Sequence, residues 1–293
     1  STDDTHLVFE RELKSTELVG SVIHLKNNYG WSGGNNRGAV LCRDSDYIFF
    51  LNDDIILIDR NVIKNLVDFM EKHKDVGAVQ PVIINRDGSF NYGYKLAISG
   101  FGTDLFQPIQ PSFLCGAALF TRTTNFFEIG MFDEDFFLYH DDVDFSLRLW
   151  LAGYKVSTVQ KAKVFHVGGV SVGDKLWYYI IRNNFMVIGK ISDNMYLINK
   201  IVLSLIEILI SWLWFAVYRL KDSRKIKFVI KGLIQGITLY LAKGILKRRN
   251  VIRRVNERSL IKKGVYDTRL DLQRILPIMN KIFPRQKSIT YLK

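Results

Sequence analysis

The sequence predicts an α/β layered domain followed by a basic, apolar helical region. Short apolar runs alternate with segments of helical periodicity through residues 18–169, the order expected of helices layered on a sheet. Carboxylates stand where such runs end, the place where open α/β sheets bind ligands. Charge and hydropathy then change together near residue 173. Residues 1–172 carry a net −6 and residues 173–293 a net +18, within a chain of +12. That asymmetry divides the chain into 1–172 and 173–293. It also predicts an anionic partner for the second part, a membrane surface or a nucleic acid.

With 48% hydrophobic and 13% aromatic residues in 293, the chain can bury a large core, and the composition excludes a disordered protein. Its two cysteines, Cys42 and Cys115, form no disulfide framework and suit a reducing compartment. Both lie in apolar surroundings and are expected to be buried.

Taken in order, Ser1-Thr2-Asp3-Asp4-Thr5 is a polar turn of the kind that follows a strand, so a strand is expected before it. Residues 18–25 predict a strand. The stretch from Asn27 to Gly38, with Asn28, Gly30, Gly33, Gly34, Asn35 and Asn36, predicts a loop that approaches a ligand closely, with a helix starting at 36–43. A glycine-rich loop running into a helix can hold phosphate, although this spacing is neither Walker A nor the dinucleotide fingerprint. Tyr47-Ile48-Phe49-Phe50-Leu51 predicts a buried parallel strand, which delivers Asn52-Asp53-Asp54. Asp59 is the expected cap of a helix with Val62, Ile63, Leu66, Val67 and Met70 on one face. Strands follow at 77–83 and 113–120, the second carrying Gly116 where a side chain would obstruct something.

Tyr139-His140-Asp141-Asp142-Val143-Asp144 then opens a short helix closed by Gly153, with Asp141 as its expected N-cap. Acids in a first helical turn are stabilised as anions, so Asp142 is expected to stay ionised. A last strand at 162–169 carries His166. Beyond residue 173, Ile201 to Tyr218 holds a single charge, Glu207, and is marginal for a membrane span, which needs about 20 residues. Ile226 to Leu246 predicts a basic amphipathic helix lying on a membrane, with Gly232 and Gly236 permitting close helix contact.

Two carboxylate clusters and one histidine can hold a divalent cation and leave a carboxylate free to take a proton. With a Gly/Asn loop, that set suits a transferase acting on a sugar nucleotide better than a two-carboxylate glycosidase. Six motifs in this order resemble the family 2 glycosyltransferases. They are Ser1–Thr5, the Asn28–Gly38 loop, Leu51-Asn52-Asp53-Asp54, Cys115-Gly116-Ala117, Gly130–Glu134 leading to Asp141-Asp142-Val143-Asp144, and Phe165-His166.

The resemblance covers residues 1 to about 190 and is nearest to the rhamnosyltransferase and galactofuranosyltransferase branches of surface-polysaccharide synthesis. It implies a glycosyltransferase A (GT-A) type fold, a Rossmann-like mixed sheet flanked by helices, lacking its N-terminal strand here. It implies that Asp54 and His166 bind Mg²⁺ or Mn²⁺, with Asn52 standing where the family has a first metal-binding carboxylate. Asp53 would orient ribose or donor sugar, and Asn28, Gly30, Gly33, Gly34, Asn35 and Asn36 would line the nucleotide side. Gly116 and Asp141 would meet the acceptor, and Asp142 would be the base of an inverting transfer. The implied donor is a dTDP- or UDP-sugar, and the implied acceptor a saccharide or a lipid-diphosphate-linked saccharide. The implied location is the cytoplasmic face of an anionic membrane. The alternative is a catalytically impaired member that serves as a membrane-bound scaffold. The absence of a Gln-x-x-Arg-Trp motif opposes a processive synthase. The apolar runs of the tail oppose a nucleic-acid partner.

Overall fold

The computed structural model describes residues 4–16, 19–168, 173, 175–219, 223–271 and 273. Its helices are α1 (Thr5–Ser15), α2 (Gly30–Leu41), α3 (Val62–Lys72), α4 (Thr123–Glu128), α5 (Asp141–Leu151), α6 (Lys175–Ile191), α7 (Asn194–Arg219), α8 (Ser223–Gln235), α9 (Leu241–Lys247) and α10 (Glu257–Lys262). Its strands are β1 (Tyr47–Leu51), β2 (Ile55–Leu57), β3 (Val76–Asn85), β4 (Phe90–Asn91), β5 (Tyr94–Leu96), β6 (Gly102–Asp104), β7 (Ala118–Arg122) and β8 (Lys155–His166).

A mixed sheet in the order β1-β7-β3-β8-β2, with β4 on β3, forms the central layer, and β5-β6 is a separate hairpin. Among the described strands, β3 and β8 are the one pair hydrogen-bonded in parallel. One core lies between the sheet and α5–α6, built on Phe50, Phe126, Phe132, Phe136, Phe145, Leu147, Leu149 and Met186. A second lies between the sheet and α3, where Val62, Leu66 and Met70 meet Val79, Ile83 and Val164. The periodicity of α3 places those three inward, as its sequence predicts, and leaves Ile63 outside.

Several expectations are corrected. Residues 19–25 form no strand, because no described strand lies beside them, and Val19, Ile23 and Leu25 are exposed. The Gly/Asn stretch is helical from Gly30, six residues earlier than expected, and Asn28 accepts the Gly30 N–H at 2.9 Å in the turn before it. The strand β1 is antiparallel to β7, and its burial alternates rather than being continuous. Asp59 caps no helix. Its carboxylate accepts the Asn61 N–H at 2.8 Å in a turn that precedes α3. The strand foreseen at 113–120 covers 118–122, and the one at 162–169 starts earlier, at Lys155. Cys42 is exposed just beyond α2 and Cys115 is half-buried. Ser1, Thr2 and Asp3 of the first motif, and the boundary at 172/173, lie outside the described residues.

The basic second part folds onto the first. Helix α6 packs against α5 and carries α8 and α9 along its other side. Glycine makes that contact close: a Cβ on Gly244 would stand 2.2 Å from Met186 O, and one on Gly232 would stand 2.9 Å from Tyr178 O. A five-residue π-turn, Gly236–Tyr240, joins α8 to α9. Among the described residues, Ile226–Asn250 is the one helical segment long and apolar enough to cross a membrane.

Candidate functional site

The site draws on the end of β1, the β2–β8 pair and the start of α5. Strand β1 ends in Asn52, whose backbone N–H donates to Ala117 O at 2.9 Å and so sits beside Gly116. The pairing of Ile55 with His166 between β2 and β8 then aligns Asp54 with His166. His166 Nε2 lies 3.1 Å from Asp54 Oδ2. Asp54 Oδ1 is buried and has no hydrogen-bond partner. A hard carboxylate oxygen left over beside an imidazole nitrogen fits Mg²⁺ or Mn²⁺. Among the described residues no third His, Cys, Asp or Glu joins them.

Asn52, expected as a third ligand, has its Oδ1 accepting the Trp31 indole N–H at 2.8 Å, so that oxygen also holds the ring. Trp31 is the residue that the sequence reading missed. Its backbone N–H donates to Phe137 O at 2.7 Å, and its ring stacks edge-on against Phe132. A Cβ on Gly116 would stand 3.3 Å from the indole and 3.5 Å from Asp142 Cβ. Glycine at 116 therefore leaves a space between indole and carboxylate. A lone large ring within a Gly/Asn stretch was the available signal.

Asp141 and Asp142 are the first residues of α5. The N-cap is His140, in the left-handed conformation and without a side-chain cap bond, so Asp141 does not cap the helix. Instead Asp141 Oδ2 accepts the Ser32 hydroxyl at 3.1 Å. Asp142 Oδ2 accepts the Gly116 N–H at 3.1 Å, and its Oδ1 accepts the Val143 N–H at 2.8 Å. The helix start is expected to keep Asp142 ionised, and burial works against it. Burial raises both carboxyls above the ordinary range, and the charge of Asp142 raises Asp141 further, against the backbone bonds that pull the other way. Burial also lowers His140 to about 4, keeping it neutral.

The remaining residues foreseen on the nucleotide side divide. Asn28 and Asp53 are exposed, and Gly34 faces open space. Gly30 must be glycine: its φ is +71°, and a Cβ there would lie 2.1 Å from Phe137 O. Gly33 packs against Tyr29 and Glu134. Asn35 donates back to Trp31 O at 2.9 Å, while Asn36 bonds both backbone groups of Phe132. These two amides brace the protein.

The segment leading into the carboxylates is strained. Phe137, Tyr139 and His140 all have φ between 64° and 66°. Leu138 N–H donates to Phe136 O at 2.7 Å, closing a γ-turn about Phe137, a conformation that is rare and costly. Such residues cost on the order of 1–3 kcal/mol each and persist where the surroundings impose them.

Residues 1–130 match the description "Glycosyl transferase family 2". The chain is 26% identical over 176 residues to the O-antigen chain rhamnosyltransferase WbaN of Salmonella anatum, covering 57% of this chain and 53% of that protein. It thus spans about half the length of that relative. To the low-salt glycan biosynthesis hexosyltransferase Agl10 of Haloferax volcanii it is 25% identical over 234 residues, 72% of this chain and 73% of that one. The crystal structure of GalNAc-T7 with UDP, GalNAc and Mn²⁺ superposes on 96% of this chain and 50% of its own, at TM-score 0.56 and 14% identity. At that identity the likeness concerns the fold alone, a mixed sheet flanked by helices.

Proposed function

We propose that the protein is an inverting, metal-dependent glycosyltransferase of cell-surface polysaccharide assembly. It moves rhamnose, galactofuranose or another hexose from a dTDP- or UDP-linked donor to a saccharide or a lipid-diphosphate-linked acceptor. One observation carries this reading. Trp31 ties the two acidic clusters into a single site, its N–H on Asn52 beside Asp53-Asp54 and its ring against Gly116, whose own N–H lies on Asp142. A diphosphate-binding side and a proton-accepting side thereby face one space.

In this reading Asp54 and His166 hold Mg²⁺ or Mn²⁺, which when bound offsets the charge of the diphosphate leaving group. Asp53 is exposed at the strand end, where it meets donor ribose or sugar. Asp141, fixed by Ser32, and Gly116 bound the acceptor. Asp142 removes the proton of the acceptor hydroxyl as that oxygen bonds to the anomeric carbon. The bond from that carbon to the diphosphate oxygen breaks, and its electron pair leaves with the nucleotide. One in-line displacement inverts the anomeric centre. A base of this kind contributes roughly 10²–10⁴-fold, and its raised pKa suits it to operate near neutrality.

The test is a panel of dTDP-rhamnose, UDP-galactofuranose and UDP-glucose with lipid-diphosphate acceptors. Nucleoside diphosphate release and product configuration are followed by NMR, with Mn²⁺ and with EDTA. Cation-dependent turnover to an inverted product is expected. No turnover with any donor, or retention of configuration, would sink the proposal.

Attachment to the anionic cytoplasmic leaflet belongs to the same reading, and α7 supports it. This helix is amphipathic in the inverse sense. Lys200, Ser204 and Glu207 share its buried face, where Lys200 pairs with Glu257, Ser204 accepts from Asn184 and Glu207 accepts from Ser99. Its opposite face exposes Met195, Ile198, Val202, Ile206 and Leu209, with Ile198 at 70%. Apolar residues at helical spacing facing outward suit a lipid interface. Glu207, the single charge of residues 201–218, is thus docked in the protein.

A further inference from the structure

Beyond the residues that meet donor and acceptor, one buried side chain holds the approach to Asp142. Asn183 stands in the middle of α6 and is fully buried. Its Nδ2 lies 3.1 Å from Phe136 O, 2.8 Å from Leu138 O and 2.7 Å from Tyr139 O. Three carbonyls within four residues can converge on one amide because Phe137 and Tyr139 have positive φ, which turns successive peptide planes to one side. The orientation of that amide is set as well. Arg182 Nε donates to Asn183 Oδ1 at 2.8 Å, so the NH₂ must face the carbonyls. Arg182 adds a bond to Phe136 O at 2.6 Å and is itself held over the rings of Tyr178, Tyr179 and Tyr240. From the opposite side Trp31 N–H secures Phe137 O. The peptide groups immediately before Asp141 are therefore gripped between α2 and α6.

We infer that Asn183 is a positioning residue for the transfer: its amide holds the strained 136–140 turn in the one shape that presents Asp142 to the acceptor. This rests on the proposed function for the identity of the base. The strain supplies the reason such a clamp is needed. Left-handed backbone at Phe137, Tyr139 and His140 would relax toward ordinary φ if its carbonyls were released. Relaxation there moves the start of α5, and with it the contact between Asp142 Oδ2 and Gly116 N–H. A misplacement of about 1 Å in a reacting group can cost roughly 10²-fold in rate. The metal pair Asp54–His166 stands at β2 and β8 and bonds neither Asn183 nor Arg182, so donor binding through the cation should be spared.

The neighbouring Asn184 provides a matched control. It is equally buried on the same helix, but its Nδ2 bonds Ser99 O and Ser204 Oγ, both at 2.9 Å and away from the 136–140 turn. Asn183→Ala and Asn184→Ala remove the same atoms from the same helix. With the donor that turns over in the panel, Asn183→Ala is expected to lower kcat by roughly 10²-fold. Its donor KM should stay within about threefold, and the acid limb of its pH–kcat profile should shift. Asn184→Ala should change none of these. Hydrogen exchange needs no donor and reads the clamp directly: amides of residues 137–142 should exchange faster in Asn183→Ala than in Asn184→Ala. If Asn183→Ala does not fold, Asn183→Ser keeps one donor and should fall between it and the parent in both readouts. Equal kcat in the two alanine variants, a loss confined to donor KM, or unchanged exchange in residues 137–142 would each overturn the inference. Absence of turnover in the parent protein would instead strike the proposed function, with the exchange comparison still decisive for the clamp.

Discussion

Asp142 accepts N–H groups from Gly116 and Val143, yet burial outweighs both and raises its carboxyl. A carboxyl raised on folding contributes stability below its unfolded value, near about 3.9, and loses it as pH rises through the folded value. Asp142→Asn should therefore raise the thermal midpoint at pH 8 and leave it unchanged at pH 3, while turnover falls by roughly 10²–10⁴-fold. Parallel loss of stability and turnover at pH 8 would contradict the assignment. The same shift predicts the pH profile of the parent. Activity requires the ionised carboxylate, so the acid limb of kcat should lie clearly above the ordinary carboxylate range, and Asp142→Asn should erase it. On the donor side, Asp54→Asn and His166→Ala should each weaken Mn²⁺ binding in the presence of UDP by more than about tenfold, measured by calorimetry. Unchanged Mn²⁺ affinity in both would remove the pair from the metal site. These carboxylates and the histidine could be picked out from sequence because each ends a recognisable element. Trp31 and Asn183 could not, because their value comes from partners 21 and 44–47 positions away, and spacing along the chain does not encode such contacts.

Among the elements, α5 and α6 were legible to different degrees. The apolar run after Asp144 and the glycine at 153 delimit α5 well, and α5 ends at Leu151. In α6 the signal is the run Arg182-Asn183-Asn184, three polar residues inside an apolar helix, which marks a buried polar network. In the fold they grip the site, and Lys190 completes the helix by bridging Asp133 at 2.9 Å and Asp144 at 2.9 Å. Arg148 joins Asp144 from within α5 and donates to Ile129 O and Met131 O. Burial alone would raise Asp133, but Lys190 and Lys247 hold it well below the usual range. Its stability contribution is thus present above the unfolded value and is lost as pH falls through the depressed one. Lys190→Met would leave two carboxylates buried with a cation removed, at a cost of about 3–5 kcal/mol. Lys247→Met, whose side chain is one-third exposed, should cost roughly 0–1 kcal/mol. Urea unfolding of both variants at pH 7 checks the contrast, and equal midpoints would show that the network does not carry the α5–α6 contact.

At the scale of the whole molecule, the charge asymmetry has an internal share that composition could not reveal. Lys243 and Lys247 meet Asp135, Lys247 also meets Asp133, and Arg254 meets Glu128, so acids of the first part neutralise bases of the second. The net +18 of residues 173–293 therefore overstates what remains for an anionic surface, and the exposed apolar face of α7 must supply part of any membrane affinity. Two mechanisms with different salt responses follow from that. Attraction of basic residues to anionic headgroups is screened by salt, whereas apolar insertion is not. The protein should float with vesicles containing phosphatidylglycerol, and 0.5 M NaCl should weaken binding without abolishing it. Ile198→Glu with Val202→Glu places two charges on the outward stripe, far from Lys200, Ser204 and Glu207 on the docked face, and should preserve the fold. That variant should stay unbound at every salt concentration while retaining turnover of a water-soluble acceptor. Flotation equal to that of the parent protein would show that α7 does not face the membrane. Complete release of the parent protein by salt would leave the basic surface as the sole attachment.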